Sequence, residues 1–265
     1  MNTENTVRTY SDLALFSGGN APVVGKAAQY PVGHSTPMHQ HTSAQLVHAS
    51  SGVMAVSTPV GHWVVPPTRG IWVPAATPHA VRMVSAVHMR TVFVRPETRP
   101  ELPTTCCVVA ISPLLRELLI AATAIQQPYE ADSRNARIMQ LLLDELTTLP
   151  TLPLHLPLPT DPRLRRLCQA LLSQPDNNAT LQEWGNVVGA DARTIQRLFV
   201  RETQLRFGQW RQQARLLLGL EQLAAGTRVI DVALNLGYQS PSAFTAMFKR
   251  QFGAVPSTFF DNEIG

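Results

Sequence analysis

Pro150, Pro153, Pro157, Pro159 and Pro162 all fall within the segment PTLPLHLPLPTDP. Each proline lacks a backbone N–H and fixes its own φ, so neither a helix interior nor a sheet ladder is expected at this density. The segment reads as a stiff, extended linker over 150–162. The regions on its two sides must each bury their own apolar residues, so the chain divides into two parts. With 265 residues and 45% hydrophobic content, both parts have enough apolar side chains for a core.

Before the linker, residues 25–100 hold short apolar runs broken by Pro and Gly: QLVHAS, GVMAVST, HWVVP, GIWVP, AVRMVSAV and RTVFVRP. Their Val and Thr content and the breakers favour strands over buried helix, and the regular spacing predicts a β-barrel or sandwich. The pattern then changes. SPLLRELLIAATAIQQ (112–127) and NARIMQLLLDELTTL (135–149) have helical spacing and strong helix formers. Both are unusually apolar, which admits two readings that can hold together: packing on their own barrel, or a homodimer face. The expected divisions are a barrel over 1–105 and a helical dimerisation segment over 106–149.

After the linker the signals are helical. Asp161 followed by Pro162 supplies a cap and then Pro at the first helical position, with Leu164, Leu167, Cys168, Leu171 and Leu172 as the buried stripe. Thr180 and Glu183 form a capping box; Leu181, Trp184, Val187 and Val188 face inward, and Gly189 ends that helix. Asp191 then caps ARTIQRLFVRE. Ile195, Leu198 and Phe199 turn inward, leaving Arg193, Thr194, Gln196, Arg197 and Arg201 outward. A short helix, a Gly turn and a second helix with an Arg/Gln/Thr face make a helix-turn-helix.

A longer helix comes next, from about Phe207 to Ala225, and the pattern returns. VIDVALNLG ends at Gly237, with Thr227 as its best available cap. Ser240 caps and Pro241 opens the next helix, whose Phe244, Met247, Phe248 and Phe252 are expected in the core. The joining helix, about 19 residues, spans ~28 Å at 1.5 Å per residue. That is close to the ~34 Å between successive major-groove faces of B-DNA, so one chain can set two recognition helices in adjacent grooves. The fold class is therefore α+β: a β-barrel with dimerisation helices, then an all-α domain over 163–265 with two helix-turn-helix motifs.

Charge points the same way. Residues 1–160 carry 10 Lys+Arg against 9 Asp+Glu, and residues 161–265 carry 12 against 9. Between 193 and 215 there are six Arg and a single acid, Glu202, which favours contact with phosphates and bases of double-stranded DNA. Cys106, Cys107 and Cys168 are odd in number and lack paired spacing, which argues against a disulfide framework or zinc finger and for a reducing cytoplasm. The opening MNTENTVRTYSDLALF has no basic-then-apolar pattern, and no run of about 18 apolar residues occurs, so neither signal peptide nor membrane association is expected.

The segment DARTIQRLFVRETQLRFGQWRQQARLLLGLEQLAAG and, beyond it, VIDVALNLGYQSPSAFTAMFKRQFGAVPSTF closely resemble the AraC/XylS family of bacterial transcription regulators. The match covers about residues 160–260, and the pattern LGYQSPSAF…FKRQFG..P is highly specific. The resemblance implies that the first recognition helix reads bases through Arg193, Gln196 and Arg197, with Thr194 and Arg201 nearer the backbone. The second would use Gln239, Ser240, Ser242, Ala243 and Ala246 at the groove, with Lys249 near phosphate. Ala246 stands where some members carry a long polar side chain, so the first helix is expected to dominate specificity. The implied partners are promoter or operator DNA, a small-molecule effector, a second copy of the chain and, for an activator, RNA polymerase.

Residues 25–100 resemble a cupin barrel. Gly33 leads by five residues to His39, one more to His41, three to Gln45 and six to Gly52, which is the spacing of the first cupin motif. Gln45 stands where metal-binding members usually have Glu, and PAATPH resembles the second motif, making His79 the third histidine. On a strand His39 and His41 point the same way. Three neutral imidazoles suit a divalent transition metal (Zn, Ni, Cu or Fe), while a neutral Gln weakens such a site, and no cofactor is required. Regulatory cupins of this family generally take small organic effectors, and some short regulators of this type control neighbouring transporter or exporter genes, so the resemblance implies a nearby transporter, exporter or catabolic gene as target. His34, His48, His62 and His88 read as surface or barrel-lining residues, Trp63 and Trp72 as core or pocket wall, and Arg69 and Arg82 as solvated charge or an anion pair. Two rival readings stay open: a cupin metalloenzyme with a helical tail, and a DNA-binding protein whose barrel is only a dimer scaffold.

Overall fold

A computed structural model of the chain describes residues 8–10, 21–148, 151–152 and 155–259. Two compact units emerge: Met1–Thr58 with Trp63–His155, and Pro59–His62 with Leu156–Gly265.

The first unit is built on strands β1 (Arg8–Tyr10), β2 (Val23–Tyr30), β3 (His39–His41), β4 (Ala44–Ser51), β5 (Met54–Thr58), β6 (Gly61–Val65), β7 (Arg69–Val73), β8 (Ala80–Met83), β9 (Val87–Val94) and β10 (Cys107–Ala110), then helices α1 (Pro113–Ala124) and α2 (Arg134–Thr147). Two short strands, β11 (Thr151–Leu152) and β12 (His155–Pro157), come after them. A six-stranded sheet has the order β11-β10-β7-β4-β9-β2, a four-stranded sheet β12-β6-β5-β8, and β1 pairs in parallel with β3.

Alternation along β4 assigns the two faces of the large sheet. Ala44 and Leu46, with Trp72, Val92 and Val94, lie under α1 and α2. Those helices bury Leu115, Leu118, Leu119, Ala122, Met139, Leu142, Leu143 and Leu146. A fully buried leucine contributes about 1.5–3 kcal/mol, so packing on their own sheet accounts for the main apolar face of both helices. Leu114, Ile120 and Leu141 remain exposed. Trp72 belongs to this core, its indole N–H donating to the Pro103 carbonyl at 2.8 Å. Gln45, Thr91 and Phe93 occupy the opposite face.

The proline-rich segment departs from expectation. β11 pairs with β10, and β12 ends the four-stranded sheet, so ladders do form at 151–152 and 155–157. Both are terminal strands of their sheets, where a missing N–H costs no hydrogen bond if it faces outward.

The second unit contains α3 (Pro162–Ser173), α4 (Leu181–Val188), α5 (Ala192–Thr203), α6 (Phe207–Ala224), α7 (Val229–Asn235) and α8 (Pro241–Phe252). Four starts are capped as read from the sequence. Asp161 accepts from Arg163 N–H, Thr180 and Glu183 close a capping box, Asp191 accepts from Thr194 N–H, and Ser240 accepts from Ala243 N–H. α7 differs: its cap is Arg228, without a side-chain cap bond, and Asp231 in the first turn pairs with that arginine at 2.7 Å. Val187 is 70% exposed rather than inward, because the eight-residue α4 buries only Trp184, Gly185 and Val188. Leu172, Leu181, Met247 and Phe252 are half-buried.

Trp210, Phe199, Phe244 and Phe248 are the largest fully buried side chains of this unit. Gly219 allows α8 to lie against α6, since a Cβ there would sit 2.9 Å from the Phe244 ring. Gly237, at φ +71°, turns the chain after α7, and a Cβ would come within 2.8 Å of the Asp176 backbone. Among the described residues no helix is long and apolar enough to cross a membrane. Cys106, Cys107 and Cys168 are free thiols.

Candidate nucleic-acid interface and sensory site

In the first helix-turn-helix, Gly189 ends α4 in the left-handed conformation and α5 starts three residues later. Ile195, Leu198, Phe199 and Thr203 anchor α5 in the core, so its outward stripe is fixed. Arg193, Arg197 and Arg201 are exposed on that stripe. Val200, 42% exposed, lies among them, an apolar surface residue that a search for charged and polar readers passes over. Thr194 is committed elsewhere: its N–H and hydroxyl both donate to the Asp191 carboxylate, at 2.9 and 2.7 Å. Gln196 is half-buried, and its amide nitrogen is buried without a hydrogen-bond partner, so reaching a base requires a change of rotamer.

The arginine cluster at 193–215 divides in two. Arg215 donates to the carbonyls of Pro175 and Asn177 and to Asn178 Oδ1, at 2.7, 3.2 and 3.0 Å. Arg211 donates to the Ala179 carbonyl at 3.0 Å and lies 5.1 Å from the centre of the Phe207 ring. These two tie α6 to the α3–α4 loop. Within the cluster, Arg193, Arg197, Arg201 and Arg206 remain exposed. Sequence spacing does not reveal which guanidiniums a loop's carbonyls consume.

Glu202 carries a structural role. Its Oε2 accepts from Thr160 N–H, the Thr160 hydroxyl and Asp161 N–H at 2.8, 3.0 and 3.0 Å, and its Oε1 accepts from Arg201 at 2.8 Å. Burial acts to raise its pKa, but the bonds from Asp161, Arg201 and Thr160 prevail and hold it at about 2.

The second module repeats the geometry with different chemistry. Ser242, Ala243, Ala246 and Lys249 are exposed on α8, and Gln239 is exposed just before it. Ser240 is half-buried and occupied as the cap. Arg250, exposed next to Lys249, adds a cation that sequence reasoning missed. α6, at 18 residues, spans ~27 Å between the two modules.

The first unit brings His39, His41, Gln45 and His79 together. His39 and His79 exchange backbone hydrogen bonds at 2.9 and 2.8 Å across an isolated bridge. One ligand atom from each histidine lies within 4.8 Å of the others. Each Nδ1 lies against a carbonyl two residues away: Pro37 for His39 (2.9 Å), Ser43 for His41 (2.7 Å) and Thr77 for His79 (2.9 Å). A carbonyl only accepts, so each of these contacts favours the tautomer with the proton on Nδ1 and leaves Nε2 as the ring's donor atom. His79 Nε2 is buried without a partner. Burial pushes His79 down to about 4, against its bond to Thr77, with His39 and His41 adding to the effect. Burial likewise lowers His39, opposed by the Pro37 carbonyl and reinforced by His41. Neutral imidazoles fixed by carbonyls are the form that ligates metal. Thr91 and Ser43, both buried, complete the surroundings. Neither is legible from sequence, because their roles come from cross-strand register and a backbone carbonyl.

Two helix-turn-helix modules joined by one helix define a DNA-binding transcription regulator, and the comparisons agree. A family model described as a helix-turn-helix domain matches residues 184–262. The HTH-type transcriptional regulator NimR of Escherichia coli is 34% identical over 225 residues, covering 85% of this chain and 82% of NimR. The regulatory protein SoxS of Escherichia coli is 38% identical over 66 residues, covering 24% of this chain and 62% of SoxS. The solved structure of ToxT from Vibrio cholerae aligns over 92% of this chain and 100% of that one with a TM-score of 0.40 at 9% identity, too distant a likeness to argue from. The chain belongs to the AraC family of transcriptional regulators.

Proposed function

We propose that the chain reads operator DNA chiefly through α5 and responds to a ligand at the histidine site of its first unit. The observation that carries the DNA assignment is the exposed Arg193–Arg197–Arg201 stripe on a helix anchored by Ile195, Leu198 and Phe199. Arg193 and Arg197 are the base readers, Gln196 joins them after a rotamer change, and Thr194 and Arg201 lie nearer the backbone. On α8, Gln239, Ser240, Ser242, Ala243 and Ala246 lie at the groove and Lys249 at phosphate, so this helix contributes position and shape more than direct readout.

His39, His41, Gln45 and His79 form the sensory site. Their donor set fits a divalent transition metal better than a purely organic effector, because a backbone carbonyl engages each Nδ1 and leaves each Nε2 as the donor atom. The residues exposed on α1 and α2, Leu114, Ile120 and Leu141, support a homodimer. The working division is a cupin-type sensing domain over 1–105, dimerisation helices over 106–149, a connection over 150–162 and a DNA-binding domain over 163–265. We take the protein to act in the cytoplasm without catalysis, and to engage RNA polymerase where it activates. Ligand control requires different affinity in two arrangements of the DNA-binding domains.

Binding-site selection with the intact chain, then mapping of protected sites next to neighbouring genes, tests the DNA assignment. A recovered consensus supports it; uniform recovery of random sequence refutes it.

A further inference from the structure

Thr91 settles what Gln45 does at the histidine site, on the reading of that site as metal-binding. The Thr91 hydroxyl oxygen lies 2.7 Å from the Leu46 carbonyl oxygen. A carbonyl cannot donate, so the hydroxyl hydrogen points at Leu46 and Thr91 Oγ1 offers lone pairs elsewhere. The Gln45 side-chain amide approaches that oxygen at 2.8 Å and must therefore present its NH2. The reversed amide would leave acceptor oxygens facing each other with too few hydrogens for both contacts. Gln45 Oε1 is thus turned toward His41 Nε2, 3.0 Å away.

His41 uses its other nitrogen as donor to the Ser43 carbonyl at 2.7 Å. In the tautomer that carries its proton on Nδ1, Nε2 presents its lone pair beside Gln45 Oε1. A cation held by both atoms would use both lone pairs. Two donors at right angles, each ~2.1 Å from an ion, are ~3.0 Å apart, which matches this pair. His79 Nε2, buried and without a hydrogen-bond partner, is a third donor in the same space.

We infer that Thr91 is a positioning residue that makes Gln45 an oxygen donor, completing with Nε2 of His39, His41 and His79 a neutral N3O site for a divalent transition metal ion. Thr91 acts through Gln45 and supplies no ligand atom. Imidazole-rich sites of this kind prefer late first-row ions to Mg²⁺ or Ca²⁺.

Titration of the intact chain with Co(II), read by its visible absorption, with Zn(II) as competitor, tests this. Thr91→Val removes the hydroxyl and frees the amide to turn. Co(II) affinity should fall about 10- to 100-fold and the absorption bands should change, while Thr91→Ser restores both. Gln45→Leu should give the same altered spectrum as Thr91→Val. Circular dichroism and melting of each variant show whether it is folded. A folded Thr91→Val that keeps wild-type affinity and spectrum overturns the role of Thr91 but leaves the histidine site standing. Loss in Thr91→Val that Thr91→Ser does not restore also overturns it, since packing alone would then explain the loss. Failure of the wild-type chain to bind either ion overturns the inference and the metal-binding reading together.

Discussion

In the helical unit the groups assigned to the ligand are exposed and charged: Arg193, Arg197 and Arg201 stand in solvent on α5. In the sheet unit they are enclosed: His41, Gln45 and His79 lie inside with His39 half-buried beside them, and burial lowers His79 to about 4. The difference is one of partner. Phosphates bring their own charge and arrive at a surface, whereas a small ligand must be enclosed by groups held ready for it. It also predicts different sensitivities. Acid should disturb the sheet unit first, and salt should act on the helical one.

The largest expected effect is on stability in acid, measured with a chelator present. His48 and His79 are both held at about 4 by burial, against an ordinary value of 6.5. Above 6.5 both folded and unfolded forms are neutral and nothing is lost. As the pH falls from 6.5 toward 4, the unfolded chain takes up protons that the folded chain refuses. Stability drops by up to roughly 3 kcal/mol per histidine and then levels off. Glu202 and Asp161 are held at about 2, so the stability they add above the ordinary carboxylate range is lost only on the way down to 2. Acid titrations of variants keeping either Trp63 and Trp72 or Trp184 and Trp210 should show the sheet-unit fluorescence moving first. The reverse order would break the comparison.

Arg197→Ala should weaken binding to the selected site by ~1–3 kcal/mol and relax preference at one or two base pairs. An unchanged consensus in a repeated selection would remove Arg197 from the readers. Gly219→Ala presses a methyl group against Phe244 and should cost ~1–3 kcal/mol of stability. Footprints of this variant should weaken under α8 more than under α5, and equal weakening would contradict the packing argument. The smallest effects separate the two recognition helices. Arg201→Ala should lower affinity for all sequences alike and flatten the salt slope by about 1, whereas Ser242→Ala should change specific binding by less than ~0.5 kcal/mol. A larger loss from Ser242 than from Arg197, read by equilibrium titration, would invert the assignment.

The helical unit was largely legible in sequence because its signals are local. Asp161, Thr180, Asp191 and Ser240 each cap a helix within three residues, and periodicity names the inward side chains. What escaped there was non-local: Arg211 and Arg215 are consumed by carbonyls of the α3–α4 loop more than thirty positions earlier in the chain. In the sheet unit the spacing of His39, His41 and Gln45 marked the site, but Thr91 enters only through the pairing of β4 with β9. The strands at 151–152 and 155–157 escaped because proline density alone does not show that both lie at sheet ends.

Hydroxyl-radical footprinting of the intact chain on its selected site tests the central claim most directly. Each chain should protect two segments about 10 base pairs apart, with base preference concentrated under α5 and lost in Arg197→Ala. A single protected segment per chain, or two segments with preference untouched by Arg197→Ala, would contradict a protein in which α5 reads and α8 positions.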